Sequence, residues 1–329
     1  MNGSHGGDSA VNTTAIKATV LVCTHNPRPH VLRRALESLR RQTIPLTDWE
    51  LIVIDNNSDT PVGSWADLAW HPQARMLCEM TPGKTAALLC GIAAARSTLL
   101  VIVDDDNLLE PTYLQEAIRI EERYPFLGAW GGGSVGEFEG PLPEWLRPYL
   151  SFIAVKDCSE EVWSNEYFHD AATPIGAGMC VRKRVADRYM AMVGDYSVRR
   201  LLGRRGTELA GCEDTDMALT AIDLGLGVGR FPQLQLVHAM PSGRMTETYI
   251  LKLAEESQAS SFLLRAIRGR PHPPLIAGSP LKQMLLWLRV WTLPRIDRRI
   301  RFALMRGYKK GQATAACLNV PSGGFEKTT

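Results

Sequence analysis

The chain has 329 residues, 45% of them hydrophobic and 22% charged, and a formal net charge of +2. These are the proportions of an ordinary globular protein, long enough for one large α/β domain with a tail or for two smaller domains. A net charge so close to zero gives no whole-chain case for nucleic acid. The seven cysteines are scattered and form no C-x-x-C pair, so they read as reduced core thiols of a cytoplasmic protein, not as a disulfide frame or zinc site. Nowhere do about eighteen apolar residues run uninterrupted, so no bilayer-spanning segment is expected.

Met1 to Thr14 is small and polar and reads as a disordered lead-in, lacking the basic-then-apolar order of a secretory signal. Ala18 to Cys23 is a short β-rich run, closed by the turn residues from Thr24 and Asn26 to Pro29. Val31, Leu32, Ala35, Leu36 and Leu39 then recur at helical spacing. Glu50 to Ile54 predicts a second buried strand ending at Asp55, Arg75 to Glu79 a third, and Thr85 to Arg96 a helix of small residues. Leu99 to Val103 is an uncharged β-compatible run that switches within one step to Asp104, Asp105, Asp106 and Asn107. Such a run reads as a strand buried on both faces, with three carboxylates at its carboxyl end, where open α/β sheets bind ligands. Three adjacent negative charges call for a counter-charge, most simply a divalent metal. A solvated turn before a helix announced by Pro111 explains the same residues equally well.

Two nucleotide motifs are approached and missed. Pro82-Gly83-Lys84-Thr85, followed by an apolar strand and Asp104, resembles the phosphate-binding loop of a nucleoside triphosphatase. The glycine required five places before Gly83 is Cys78, and no G-x-G-x-x-G follows the first strand.

Gly131-Gly132-Gly133, and the Gly- and Pro-rich stretch from Glu137 to Leu146, predict a functional or mobile loop. Trp145, Tyr149 and Trp163 are suited to stacking on a sugar or to packing on the core. Gly176 to Val181 predicts another strand. Glu213 and Asp214 open the helical run Met217, Ala218, Ala221, Ile222, Leu224, where acids are favoured by the helix dipole and where a rigidly held carboxylate makes a good general base. Phe231 to Val237 returns as a strand with His238 beyond it, and Thr246 to Ile267 predicts a long amphipathic helix. Leu281 to Lys310 holds nine Lys or Arg against the single acid Asp297, interleaved with apolar residues and tryptophan. It suits either an anionic membrane surface or packing on the domain with a solvated basic face.

From about Thr19 to about Arg244 the ordered set of strand-one turn, D-x-D-type cluster and Glu-Asp pair resembles the family-two inverting glycosyltransferases of bacterial type. The resemblance implies the GT-A fold, a Rossmann-like, mostly parallel mixed α/β sheet with flanking helices, here followed by a C-terminal helical extension. It implies a donor that is a UDP-, GDP- or dTDP-sugar, lying against Thr24, Asn26 and Asp55, with Asp104 and Asp105 on the ribose and diphosphate. It further implies Mg²⁺ or Mn²⁺ on Asp106, with His238 a further candidate ligand, and Asp214 as base assisted by Glu213. Many relatives carry Arg and Asn in the helix after the third strand, where this chain has Leu88 and Leu89, so Lys84 is the candidate for the phosphate-facing charge. The acceptor would be a saccharide, lipid-linked or small-molecule hydroxyl in cell-surface polysaccharide, glycolipid or other glycoconjugate synthesis, made by a cytoplasmic or peripheral inner-membrane enzyme. The expected organisation is a lead-in over 1–15, a catalytic domain over 16–245 with nucleotide-sugar half 16–110 and acceptor half 111–245, a basic extension over 246–310 and a flexible tail over 311–329. A nucleoside triphosphatase and a non-catalytic, GT-A-shaped carbohydrate-binding protein are the alternatives.

Overall fold

The computed structural model describes residues 15–194, 198–273 and 290–319. The described residues form a nine-stranded sheet whose first half follows from the sequence pattern. Strand β1 (Ala18–Thr24) leads into helix α1 (Pro29–Arg40), β2 (Trp49–Asp55) and β3 (Ala74–Cys78), then α2 (Lys84–Ala94) and β4 (Leu99–Asp104). Pro29 opens α1, where its missing amide costs nothing, and Val31, Leu32, Ala35, Leu36 and Leu39 form the buried face. Strands β3, β2, β1 and β4 run parallel in that order.

Alternation along β4 divides the core. Leu99, Val101 and Val103 join the apolar layer that includes α1, while Leu100 and Ile102 join the layer beneath α2. Each fully buried Leu, Ile or Val contributes about 1.5–3 kcal/mol relative to exposure, so a polar residue anywhere in Leu99 to Val103 would disrupt one layer or the other.

The second half extends the same sheet. After β5 (Asn107–Leu109) and α3 (Tyr113–Arg123) come β6 (Leu127–Phe138), β7 (Val162–Ser164), β8 (Met179–Arg182), α4 (Lys183–Val193), α5 (Glu213–Asp223) and β9 (Gly227–Met240). The order continues from β4 to β8, β6, β9 and β5, with β8 antiparallel to both neighbours. Residues 16–110 and 111–245 thus contribute to one continuous sheet.

Gly131, Gly132 and Gly133 correct the loop expectation: they are buried inside β6, at an irregularity in its pairing with β9. A Cβ on Gly132 would lie 1.7 Å from the Leu234 carbonyl oxygen, so the glycines allow two backbones to approach where any side chain would separate them. The predicted strand at Gly176 begins three residues later, at Met179. Gly178 lies before it with a φ of 72°, a left-handed conformation that glycine adopts without steric cost.

Helix α6 (Glu247–Ile267) is capped by the Thr246 hydroxyl, which accepts from the Tyr249 amide at 3.3 Å. Helix α7 (Arg295–Cys317) packs along it, and the flexible tail expected from residue 311 is corrected as far as residue 317. Gly307, Gly311 and Ala315 recur every fourth residue on the buried face; a Cβ on Gly307 would meet the Glu255 carbonyl at 2.1 Å. This small-residue stripe docks a helix that otherwise looks too polar to stay folded. Ile300 and Ala303 are buried against α6, and Arg306 pairs with Glu255 at 2.7 Å. The apolar face of α7 is therefore spent on packing, leaving Trp291, at 61% exposure, beside Arg298 at the surface. The lead-in Met1 to Thr14, the first part of the basic segment at 281–289 and the last residues 320–329 lie outside the described residues. Among the described residues no helix is long and apolar enough to cross a membrane.

Candidate active site

The carboxyl ends of β1 and β4, the start of α2 and the start of α5 surround a cavity of about 510 Å³. Thr24, Lys84, Asp104, Asp105, Asp106, Glu213, Asp214 and His238 all line it, so eight of the residues singled out from sequence converge on one space. The acidic patches of β4 and α5, more than a hundred residues apart in the chain, face each other across Lys84. The Lys84 ammonium is 2.7 Å from Asp104 Oδ1 and 3.5 Å from Glu213 Oε1. Burial would depress the Lys84 pKa, but Asp104 and Glu213 outweigh it and raise the ammonium above its usual value. Burial likewise pushes Asp104 up, and Lys84 reverses the direction and holds it low. Glu213 is raised by burial despite Lys84, and its Oε2 has no hydrogen-bond partner among the described residues.

The three β4 carboxylates have different environments. Asp105 accepts from the Thr24 hydroxyl and is raised to about 6, by burial first and then by repulsion from Asp106 and Asp104. Asp106 Oδ2 accepts from Arg244 at 2.9 Å, and its Oδ1 lies 3.2 Å from His238 Nε2. Burial would raise Asp106, but His238 and Arg244 hold it well below the carboxylate range. Asn107 supports the turn: its Oδ1 accepts from the Asp104 amide at 3.1 Å.

A divalent cation must be judged against these donors. Among the described residues no three His, Cys, Asp or Glu side chains are grouped to hold a metal. Asp106 Oδ1 and His238 Nε2 do have the spacing of neighbouring ligands, since two bonds of about 2.1 Å at a right angle place their donors about 3.0 Å apart. His238 Nδ1 is buried without a partner among the described residues, and its Nε2 faces the Asp106 carboxylate. The pair offers one carboxylate oxygen and one imidazole nitrogen spaced for a single cation, with the Arg244 guanidinium beside them, 2.9 Å from Asp106 Oδ2 and 3.4 Å from His238 Nε2.

Asp214 stands at the start of α5, where the Thr215 amide donates to its Oδ1 at 2.7 Å. Its Oδ2 faces Gly176, where an added Cβ would approach to 2.6 Å. The missing side chain at 176 leaves room beside that oxygen.

Asn26 and Asp55 are not among the cavity-lining residues. Asp55 accepts the Ser58 and Val62 amides, both at 2.9 Å, and so folds the loop after β2. Asn26, in a left-handed conformation at φ 47°, accepts the Asp59 amide at 2.8 Å and ties the turn after β1 to that loop. The aromatic residues Trp145, Tyr149 and Trp163 also stay off the cavity: Tyr149 donates to Asp297 at 2.6 Å, and Trp163 packs its edge on Phe126.

Sequence reasoning missed Asn56, His25 and Arg244. Asn56 donates to the Glu79 and Thr81 carbonyls and accepts the Gly83 amide at 2.7 Å, shaping the turn that presents Lys84. His25 lines the cavity with its Nδ1 2.9 Å from the Asn56 carbonyl. Arg244 read as part of a turn, and its position six residues after His238 was the available signal. Lys84 points at two carboxylates rather than into an enclosing glycine loop, which removes the structural basis of the triphosphatase alternative.

Residues 19–179 match the model of Glycosyl transferase family 2. The mannosyltransferase PcManGT from Pyrobaculum calidifontis, solved with GDP-Man and Mn²⁺, is similar at a TM-score of 0.58 and 19% identity, over 90% of this chain and 87% of that one. S. aureus TarS 1–349 is similar at a TM-score of 0.50 and 13% identity, over 92% and 91% of the two chains. At these identities the likeness is one of fold. No curated protein matches the chain. Residues 19–179 thus carry the match to glycosyl transferase family 2, and the sheet has the GT-A fold of these glycosyltransferases.

Proposed function

We propose that the chain moves a sugar from a nucleotide diphosphate donor to an acceptor hydroxyl with inversion at the anomeric carbon. The observation that carries this reading is the single cavity in which Lys84 links Asp104 of β4 to Glu213 of α5. One acidic patch is suited to the donor and the other to the proton of the acceptor. The GDP-Man and Mn²⁺ bound to PcManGT support the same ligand classes here.

Asp214 acts as the general base. The Thr215 amide orients its Oδ1, and Oδ2, in the space left by Gly176, takes the acceptor proton as the hydroxyl attacks the anomeric carbon. Lys84 and Arg244 offset the negative charge that grows on the departing nucleoside diphosphate. Asp106 and His238 would hold a divalent cation, which when bound supplies Lewis-acid stabilisation of that leaving group. Thr24, Asp104 and Asp105 contact the nucleotide-sugar, while Asn26 and Asp55 act through the loop they hold. The acceptor belongs to polysaccharide, glycolipid or other glycoconjugate synthesis, and Trp291 with the basic side chains of α7 supports peripheral contact with an anionic membrane.

The test is a panel of UDP-, GDP- and dTDP-sugars offered to the purified full chain with Mg²⁺ or Mn²⁺. The expected result is a thermal shift with one nucleotide class and release of its nucleoside diphosphate. Phosphate release from ATP or GTP, with no response to any nucleotide-sugar, would overturn it.

A further inference from the structure

The side of α5 turned away from the cavity is held by an arginine from the C-terminal extension. Arg268, the residue after α6, is 3% exposed, and its guanidinium lies along two turns of α5. Its Nε donates to Asp216 Oδ1 at 2.7 Å, its Nη2 to the Thr220 hydroxyl at 3.1 Å, and its Nη1 to Asp223 Oδ2 at 2.8 Å. Nη2 also donates to the Asp216 carbonyl at 2.5 Å. Asp216 is fully buried and receives Arg199 as well, at 2.5 Å to each oxygen, so two carboxylates meet two guanidiniums.

This arrangement bears on the cavity because Asp216 is two residues after Asp214. Two residues on a helix are about 200° apart, so a grip on Asp216 from behind faces Asp214 toward the front. Glu213, three residues before Asp216, is about 60° round the helix from it and about 100° from Asp214, between the two directions, and it carries the contact to Lys84 in the cavity. A planar fork bonded at several points fixes both the rotation and the height of the helix, which a single ammonium cannot do.

We propose that Arg268 is a positioning residue: by pinning Asp216, Thr220 and Asp223 it sets the orientation of α5, and with it the direction in which Asp214 enters the cavity. The α6 and α7 extension is thereby part of the transfer machinery. This rests on the reading of Asp214 as base.

Arg268→Lys in the full chain keeps the charge but loses the fork. Arg182→Lys is the stability control, since Arg182 makes a similar fork to Glu121 and the Leu127 and Tyr124 carbonyls at the opposite end of the sheet. The expected result is a fall in kcat of about 10- to 100-fold for Arg268→Lys, the scale of a misplaced catalytic group. Donor KM and nucleotide affinity should stay as in the parent, and Arg182→Lys should leave kcat within about twofold at a comparable loss of Tm. A second measurement needs no transfer activity: with Asp214→Cys as background, the alkylation rate at position 214, mapped by peptide mass, should change at least about fivefold on adding Arg268→Lys and not on adding Arg182→Lys. Equal alkylation rates, or a parental kcat in Arg268→Lys, would overturn the positioning role. Absence of transfer by the parent chain, with the alkylation difference present, would instead overturn the function proposed above.

Discussion

Lys84 stands 2.7 Å from Asp104 and 3.5 Å from Glu213, and these two contacts join the β4 and α5 sides of the cavity. Its position at the start of α2 comes from the Asn56 clamp on the preceding turn and from the Arg204 carbonyl, which accepts the Lys84 amide at 3.1 Å. Replacing Lys84 with Met should leave two largely buried carboxylates without their counter-charge. Breaking a fully buried pair costs about 3–5 kcal/mol, and access to cavity water brings the expected loss to about 2–4 kcal/mol. Urea unfolding at pH 7 measures it. The raised Lys84 pKa means this contribution is fully present below the ordinary lysine pKa and is lost only as pH rises through the higher folded value.

Asp214→Asn should reduce sugar transfer by about two to four orders of magnitude, the scale of a lost general base. The amide is isosteric and Thr215 still anchors the turn, so nucleotide affinity should be unchanged. Turnover near the parental rate would assign the base elsewhere.

Asp106→Ala removes the carboxylate shared by His238 and Arg244. Calorimetric titration with a nucleoside diphosphate, with and without Mn²⁺, should show the metal-dependent part of the affinity lost. An unchanged, metal-independent affinity in both proteins would count against a cation at Asp106 and His238.

Gly132→Ala places a methyl group 1.7 Å from the Leu234 carbonyl oxygen, a backbone atom that cannot rotate away. Overpacking costs about 1–3 kcal/mol where side chains can yield, and here the expected loss is at or above the upper end. A denaturation midpoint within error of the parent would show that β6 and β9 separate more readily than their pairing implies.

His71 gives the protein an acid-sensitive joint away from the cavity. It is 3% exposed beside Trp49, and burial lowers its pKa to about 4. The unfolded chain, with its histidine near 6.5, binds more protons between those values, so stability should fall as pH drops from about 6.5 to 4, by at most about 3 kcal/mol. His71→Asn, which retains an acceptor for the Gln73 amide, should flatten that part of the stability curve measured by thermal melting at stepped pH.

The parallel half of the sheet was legible because strands buried on both faces must be apolar throughout, and Leu51 to Ile54 and Leu99 to Val103 have no other plausible use. The acid triplet and the Glu-Asp pair were legible for a related reason: charges ending an apolar run are placed at a strand or helix terminus. Glycine was where the pattern misled. Gly131 to Gly133 carry the composition of a loop, and what makes them strand is a neighbouring backbone at closest approach, supplied by a residue about a hundred positions away.

The sequence by itself determined the order of the elements, the apolar layers and the identity of the acidic side chains, since these depend on local periodicity and on chain neighbours. Tertiary structure alone decided which of those side chains share a cavity. It turned Asp55 and Asn26 onto a supporting loop, aimed Lys84 at two carboxylates and brought Arg244 to Asp106. It also set Arg268 behind α5, because a long side chain chooses its partner by distance in space, which no spacing along the chain encodes.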